Sequence, residues 1–493
     1  MKKLSIFSIA AALLVAGSGC TKDISNSLNH NSKAASVGIG SALFLQGELN
    51  LVNTINTTSV SVAPFRVVSQ EWTENEYVYE ANYNFSAYNA PGGFWNNLYV
   101  NTIHNLGLAK QSFPVGFLGT AGQLRNDIII CDVLEIYAYY MAIATYGNIP
   151  YTQAENQTIP FPKYDDAKTV YADLLTRIDT CIAGLDVSQP AMGAADQIYG
   201  SNPDSIATQV PHWLKFAASL KLKMAMLNAA KDPATTTKAV TEAIATGVFT
   251  SNGDNALFAY DPASPGNSNP VWNALAYGGR HDFVPAAILV NTMVGWNDPR
   301  LPLYMTNYPA NSTSYSGGTP GATNGYGHYS DFSAPFYTAN TPGDILDYTE
   351  VNFYLAEAAA QGIISTGTPA AYYDSAVTSS IEFWGGTAAQ AATYLAQPSV
   401  AYATAAGTWQ QKLGYQEWIS NFNNNWDSWT DIRRLGFPDM DVISVPLAPA
   451  SAFPVRLTYP PNETTSNPTN TAAAVAALPG GVDVVTAKLF FEP

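Results

Sequence analysis

Charged side chains are scarce in this chain. Asp, Glu, Lys and Arg make up only 12% of its 493 residues, whereas soluble domains have roughly 25%. Acidic residues outnumber basic ones by 38 to 22, and the formal charge of −16 argues against binding to nucleic acid or another polyanion. Hydrophobic residues make up 47% of the chain, which excludes a disordered protein and predicts a large core.

Cysteine and histidine are also rare. The three cysteines cannot form a disulfide framework, and the sequence has no CxxC pair. Cys131 and Cys181 lie in predicted helices, where we expect buried thiols rather than a disulfide. The five histidines lack the i, i+4 spacing that places two imidazoles on one helical face. We therefore expect neither a metal site nor a cofactor.

Local motifs of common enzymes are missing as well. The sequence has no GxSxG nucleophile elbow, no phosphate-binding P-loop and no GxGxxG after a strand. A glycoside hydrolase needs only two suitably separated carboxylates, so this alternative stays open. Three glutamates, Glu71, Glu74 and Glu76, flank Trp72. We interpret them as a solvated loop or as polar contacts to a sugar, and predict a protein that is not an enzyme.

The N-terminus has the pattern of a lipoprotein signal. Two lysines precede an uncharged run over 4–16, which is too short to span a membrane as a helix but suits the apolar core of a secretory signal. Small residues then lead to Cys20, where cleavage would leave a cysteine free for acylation. We predict a signal peptide over 1–19, lipidation of Cys20 and a flexible tether over 20–36. An ordinary signal peptide with a chance cysteine is the alternative. No later segment is expected to be long and apolar enough to span a membrane, so the lipid is the predicted anchor.

Helical spacing dominates the hydrophobic pattern. Apolar residues from Leu43 onward recur mainly at helical intervals, and strand-like alternation is scarce. The segment 127–146 is apolar nearly all round and is predicted to form a buried helix. Asp347, with Glu350 three residues later, resembles a capping box that opens a helix ending near Gly362. The pattern also predicts helices over 211–230 and 370–383. Helix pairs joined by short glycine turns indicate stacked helical hairpins.

Two irregular stretches, at about 64–93 and 252–343, interrupt the helices. Loops of this length are uncommon in a compact domain unless they carry function. We predict a single, mainly α-helical domain over 37–493. Its parts are helical blocks at about 37–250 and 344–436, a loop-rich insertion at about 251–343, and an irregular C-terminal segment at 437–493.

Eight short segments form a recognisable series along the chain. They lie at 146–151, 164–171, 196–222, 298–302, 350–358, 411–412, 429–438 and 456–467. In this order, and behind a lipoprotein signal, they resemble the SusD/RagB superfamily of outer-membrane lipoproteins, in particular its SusD-like branch. Lys223, just after the third segment, stands where arginine is more usual.

This resemblance implies tetratricopeptide-like stacked helix pairs with a large irregular, loop-rich region packed against them. It also implies a lipid-anchored protein at the surface of the bacterial outer membrane. Such a protein binds oligosaccharide nutrients and delivers them to a TonB-dependent SusC-like transporter. A peptide ligand is the alternative within the family. A surface glycoside hydrolase and a purely structural scaffold are alternatives from other classes.

The candidate ligand site is predicted from aromatic residues in the irregular stretches. A flat aromatic face suits the C–H face of a pyranose, while Asn, Asp and Arg can hydrogen-bond its hydroxyls. Most of the 10 tryptophans lie in helical patterns and are expected to pack between helices. The predicted binding surface combines Trp72, Tyr83 and Tyr88 from the first stretch with Trp272, Tyr277 and Arg280 from the second.

Two neighbours of this surface have a structural interpretation instead. Trp296 lies beside the second irregular stretch, but it borders Asp298 and Arg300 in one of the recurring segments, which favours packing. Asp282 could contact a sugar or cap a helix beginning near Phe283, and we favour the cap.

Overall fold

The computed structural model describes residues 39–201, 207–440 and 452–493. The predicted signal peptide, Cys20 and the tether lie outside the described residues. The α-helices are α1 Gly40–Asn56, α2 Phe65–Val68, α3 Ala90–Asn96, α4 His104–Ser112, α5 Ala121–Tyr146, α6 Ala167–Gly184, α7 Gln209–Leu227, α8 Pro233–Thr246, α9 Pro270–Trp272, α10 Ala287–Gly295, α11 Leu301–Tyr304, α12 Tyr348–Ala360, α13 Pro369–Phe383, α14 Ala388–Leu395, α15 Trp409–Ser420, α16 Asn425–Leu435, α17 Pro461–Ser466 and α18 Pro468–Ala476.

Strands in the described part of the chain form short antiparallel pairs. They are β1 Trp72–Glu74 with β5 Phe283–Pro285, β2 Ile149–Pro150 with β3 Tyr164–Asp165, and β4 Ala256–Phe258 with β6 Gly343–Leu346. Two segments are π-helical, Asn97–Ile103 and Asn273–Tyr277. Short 3₁₀ turns lie at Gly193–Ala195, Asn252–Asp254, Pro265–Asn267, Ala334–Tyr337 and Pro479–Gly481.

Helices that follow one another along the chain pack as pairs. The helix α5 packs against α6, α7 against α8, and α12 against α13. Neighbouring pairs also touch, since α6 contacts α7 and α7 contacts α12. The mainly α-helical fold of stacked pairs is confirmed. Within the described chain, Gly40–Pro493 forms one compact unit.

The 26-residue helix α5 runs through the larger apolar core. Thr120 caps its N-terminus by accepting a hydrogen bond from the Gln123 amide, and Gly147, with φ of 87°, ends it. Of the described helices, α5 is long and apolar enough to cross a membrane, but 83% of its apolar window is buried. The buried helix predicted over 127–146 is therefore confirmed. The expectation that no later segment has the length and composition of a membrane span is wrong.

Both described cysteines are buried free thiols, as predicted. Burial raises the pKa of the Cys131 thiol well above its usual range. In the described ranges, no group of His, Cys, Asp and Glu side chains has the arrangement of a metal site.

One buried ammonium joins four helices. Lys223 of α7 forms ion pairs with Glu350 of α12 (2.9 Å) and Asp427 of α16 (2.6 Å). Its Nζ also donates a hydrogen bond to the Tyr137 hydroxyl of α5 at 2.9 Å. Asp347 caps α12 as predicted, by accepting from the Glu350 amide. The Glu350 side chain bonds Lys223 rather than returning to the helix N-terminus.

A buried guanidinium fixes the chain between α10 and α11. Arg300 is ion-paired with Asp298 at 2.7 Å, and both side chains are fully buried. Its Nη2 also donates to Gln416 Oε1 of α15 at 2.6 Å, and its Nη1 donates to the hydroxyl of Ser380 in α13 at 3.1 Å. These bonds hold the C-terminal end of α10 against α13 and α15.

Candidate functional site

The ladder of β1 and β5 joins the two irregular stretches. Glu74 pairs with Phe283 at one end of it. Beyond that point, the Asn75 amide donates to the carbonyl of Asp282, and Asn75 Nδ2 donates to the carbonyl of His281, both at 2.7 Å. The residues that follow β1 and those that precede β5 consequently form one surface.

A cleft of about 380 Å³ opens on this surface, and we call it the tyrosine cleft. Its walls come from Tyr77 and Tyr88 of the first irregular stretch, Arg280 and Asp282 of the second, and residues 59–61 after α1. This volume is within the range of small-molecule sites, roughly 300–1,000 Å³. The cleft therefore brings Tyr88 and Arg280 together, as the predicted binding surface required.

Exposed tyrosine rings lie in and beside the cleft: Tyr77 and Tyr88 line it, and Tyr79 is their neighbour. Tyr77 is 66% exposed, Tyr88 44% and Tyr79 39%. Tyr79 and Tyr88 meet edge to face, with ring centroids 5.8 Å apart. Tyr77 has a φ of 56°, which is unfavourable for a residue with a Cβ and is held by the surrounding turn. Apolar ring faces beside polar groups are the arrangement that a sugar ring requires.

Arg280 supplies the cation of the cleft. Its side chain is half exposed and ion-paired with Asp282. The planar guanidinium has five N–H donors in a fixed geometry, so it can also bond a pair of hydroxyls.

The prediction that Asp282 caps a helix near Phe283 is wrong. Residues 283–285 pair with β1, and α10 begins only at Ala287, because the long-range ladder prevails over the local capping pattern.

Two buried carboxyl groups lie beneath the cleft. Glu74, which lines it, is 3% exposed, and Glu80 is fully buried. Burial raises the pKa of Glu74 to about 8; the Ala81 amide opposes this rise, and the charges of Glu80 and Asp282 add to it. Burial also raises the pKa of Glu80 to about 7. The pair therefore retains a proton near neutral pH, which the two carboxyl groups share.

The three glutamates around Trp72 do not form a solvated loop. Glu71 is fully buried and accepts a hydrogen bond from the Ser428 hydroxyl of α16 at 2.7 Å. Glu74 lies beneath the cleft, and only Glu76 is exposed. The interpretation as a solvated loop is thus wrong for Glu71 and Glu74.

Trp72 and Tyr83 are buried, which corrects their predicted place on the ligand-facing surface. The Trp72 ring stacks on Phe332 at 3.9 Å, and the Arg66 guanidinium lies 4.7 Å from its centroid. The Tyr83 hydroxyl accepts a hydrogen bond from Gln70 Nε2, and its ring packs against Phe453. Trp72 belongs to a second apolar core, which residues of the irregular stretches help to build, and Tyr83 belongs to the larger core. Neither ring therefore has a face for a ligand.

Trp272 and Tyr277 form a separate aromatic pair. Trp272 ends α9 and is half-buried, whereas Tyr277 ends the π-helical turn and is 67% exposed. Their ring centroids are 5.5 Å apart. Neither residue lines the tyrosine cleft, although the Arg280 amide donates to the Ala274 carbonyl of the same turn. Their contact with a ligand remains a prediction.

The sequence analysis missed Tyr77, Tyr79 and the segment 59–61. Both tyrosines belong to the first irregular stretch, like Tyr88, so residue type and position were available as signals. The segment 59–61 carried no signal, because its place in the cleft depends on how α1 packs.

Replacing Glu74 with glutamine is expected to reduce the loss of stability at alkaline pH. In the unfolded chain its pKa is near 4.5, but in the folded protein it is about 8, so unfolding releases a proton between these values. The stabilising contribution is therefore complete below about pH 4.5 and is lost as the pH rises to about 8, with a slope of up to about 1.4 kcal/mol per pH unit.

Urea unfolding across this pH range measures the effect, with the exposed neighbour Glu76→Gln as the matched control. Glu74→Gln should flatten the profile, and Glu76→Gln should follow the parent. Superimposable profiles for all three proteins would contradict the raised pKa of Glu74.

Comparisons with known proteins identify a family and a fold for this chain. The SusD-like_2 family model, described as "Starch-binding associating with outer membrane", matches residues 31–460. A comparison with curated protein sequences gave no significant match.

Several solved structures share the fold. A protein described as a chitin-binding protein has a TM-score of 0.78 and 22% identity, covering 92% of this chain and 99% of its own. A chitin-binding SusD homolog from Flavobacterium johnsoniae has a TM-score of 0.76 and 20% identity, with coverages of 92% and 98%. A SusD homolog from Bacteroides uniformis has a TM-score of 0.75 and 23% identity, with coverages of 92% and 99%. At these identities the similarity shows the fold.

Proposed function

Because this chain belongs to the SusD-like family of starch-binding proteins that associate with the outer membrane, we propose that it captures oligosaccharides at the bacterial cell surface and delivers them to a TonB-dependent SusC-like transporter. The family consists of binding proteins rather than enzymes, so the protein is not an enzyme. This excludes the glycoside hydrolase alternative.

The tyrosine cleft is the observation that carries the proposed ligand class. It combines exposed rings, Tyr77 and Tyr88, with a guanidinium, a carboxylate and the buried carboxyl group of Glu74. This arrangement suits a pyranose, whose C–H face is apolar and whose edge is lined with hydroxyls. Affinity in the micromolar to sub-millimolar range, roughly −5 to −8 kcal/mol, suits a receptor that must release its ligand.

A peptide ligand is less well supported by this surface. Peptides commonly bind to an exposed sheet edge through main-chain hydrogen bonds. Here β1 and β5 are paired with each other, and every residue in both strands is buried. The ladder beside the cleft thus offers a peptide no exposed strand edge.

Replacing Tyr88 with alanine is expected to weaken oligosaccharide binding about tenfold, since loss of an aromatic contact costs about 1–1.5 kcal/mol. Isothermal titration of the protein beginning after Cys20, with maltoheptaose and chitohexaose, measures this change. Phe161→Ala is the matched control, because this ring is 58% exposed and does not line the cleft. Equal affinities of the parent and Tyr88→Ala for the oligosaccharides would show that the tyrosine cleft is not the ligand site. Binding heat with peptides but with neither oligosaccharide would favour the peptide alternative.

We further propose that a lipid on Cys20 anchors the protein in the outer membrane. The support for it is the signal pattern in the sequence, together with the membrane association of the family. Mass spectrometry of the mature N-terminus should find an acylated cysteine, and an unmodified N-terminus would contradict this.

The proposed partnership with a transporter has its own test. Affinity purification from native membranes should recover a SusC-like transporter, and recovery of the protein alone would contradict the partnership.

A further inference from the structure

A second cleft, of about 490 Å³, lies at the C-terminal end of α10, and we call it the Trp296 cleft. The end of α10, the loop that follows α14 and the first turns of α15 surround it. None of the described residues lines both this cleft and the tyrosine cleft. The nine-residue helix α10, about 13 Å long at 1.5 Å per residue, begins just after β5 and leads from the first cleft to the second.

Two aromatic side chains form adjoining walls of the Trp296 cleft. The rings of Trp296 and Tyr415 meet at 69°, with centroids 5.6 Å apart. Both residues are half-buried, and Trp296 packs against two apolar cores while also lining the cleft. The packing role expected for Trp296 is confirmed, but it leaves part of the residue at the cleft. The buried ion pair of Asp298 and Arg300 lies just after Trp296 in the chain.

Polar groups on α10 and α15 face the same space. Asn291, Gln411 and Lys412 line the cleft. Lys412 Nζ donates to the Tyr402 carbonyl at 2.7 Å and lies 5.1 Å from the centroid of the Tyr402 ring. An ammonium has three N–H donors, so Lys412 can also donate to a bound molecule. Lys412 is also the single charged residue in the described lining. Two planar amides and an ammonium beside aromatic walls provide donors and acceptors for vicinal hydroxyls.

Gly295 leaves the backbone of α10 open to the cleft. Apart from its two chain neighbours and the backbone of its own helix, a Cβ added at this position would meet no described atom within 4 Å. Its φ lies outside the left-handed region, so no turn requires glycine here. The missing side chain instead allows a bound molecule to approach the helix end closely.

We propose that the Trp296 cleft is a second carbohydrate site, which holds a short glycan with one sugar ring against Trp296 and its hydroxyls toward Asn291, Gln411 and Lys412. The site goes beyond the proposed function, because capture at the tyrosine cleft does not require it. Its volume is within the range of small-molecule sites, roughly 300–1,000 Å³.

Filling the cleft from Gly295 tests the proposal. In Gly295→Phe the new ring enters open space, whereas Gly295→Ala adds only a Cβ and leaves the cleft open. Fluorine NMR of the mature chain labelled with 5-fluorotryptophan, titrated with maltotriose and chitotriose at millimolar concentrations, reports on Trp296, whose signal Trp296→Phe identifies. Saturable shifts are expected in the parent and in Gly295→Ala, and at least a tenfold weaker response in Gly295→Phe.

Variants elsewhere separate this site from the first one. Tyr88→Ala should keep the Trp296 response, and Gln411→Ala should weaken it, which gives a second test if Gly295→Phe does not fold. A parent protein whose Trp296 signal responds to neither sugar would overturn the second site. An unchanged response in both Gly295→Phe and Gln411→Ala would also overturn it, as would a response that disappears in Tyr88→Ala. Each of these results leaves binding at the tyrosine cleft to be judged by titration.

Discussion

Replacement of Lys223 with methionine is expected to lower the free energy of unfolding by about 3–5 kcal/mol, the usual cost of removing one partner from a buried ion pair. The Lys223 side chain is fully buried, and Glu350 and Asp427 are 4% and 1% exposed. Without the ammonium, two buried carboxyl groups face each other among α7, α12 and α16. Urea unfolding monitored by circular dichroism measures the loss.

Lys238→Met is the matched control for this prediction. Lys238 is 70% exposed and pairs with Glu242 one helical turn away, so its removal should cost no more than about 0.5 kcal/mol. Lys223→Arg should recover part of the stability, because it restores the positive charge. Equal unfolding midpoints for Lys223→Met and Lys238→Met would show that the buried cluster contributes little.

Trp72→Ala is expected to destabilise the protein by about 3–5 kcal/mol, as large-to-small replacements of buried aromatic residues do. The ring is fully buried, stacks on Phe332 and lies within 6.1 Å of Phe283, Phe336 and Phe422 by ring centroid. Its removal leaves a cavity in the second apolar core. Guanidinium unfolding measures the loss, and Trp72→Phe should retain most of the stability.

Binding measurements separate this structural role from a role in recognition. At temperatures where Trp72→Ala remains folded, its affinity for oligosaccharides should match that of the parent. Trp272→Ala should cost less stability, since its ring is only half-buried. A Trp72→Ala protein with parental stability and weaker affinity would restore Trp72 to the ligand site.

The helices were predictable because local periodicity determines them. The apolar face of α7 repeats at 3.6 residues per turn, the long apolar run of α5 indicates a buried helix, and Asp347 marks the start of α12. These signals need no knowledge of the rest of the chain. The predicted helix ends differ from the observed ones by several residues. The helix α5 begins at Ala121 rather than at 127, because its N-cap, Thr120, lies before the apolar run.

Only part of the site was predictable. Residue type and position in an irregular stretch selected Tyr88 and Arg280, which line the tyrosine cleft, but the same reasoning placed the buried Trp72 and Tyr83 on the surface. That reasoning assumes that a stretch without a periodic hydrophobic pattern is exposed. Trp72 is instead covered by Phe332, a residue remote in sequence. The prediction that Asp282 caps a helix is wrong for a related reason: residues 283–285 pair with the distant strand β1 instead of beginning a helix.

The ladder of β1 and β5 also determines when the tyrosine cleft can form during synthesis of the chain. Asn75 and His281, which join the two walls of the tyrosine cleft, are 206 positions apart. A nascent polypeptide that has been synthesised only as far as α8 contains Tyr77 and Tyr88 but lacks Arg280, so one wall of the tyrosine cleft is missing. Fragments that terminate before β5 cannot assemble the tyrosine cleft, and they should bind no oligosaccharide at this surface.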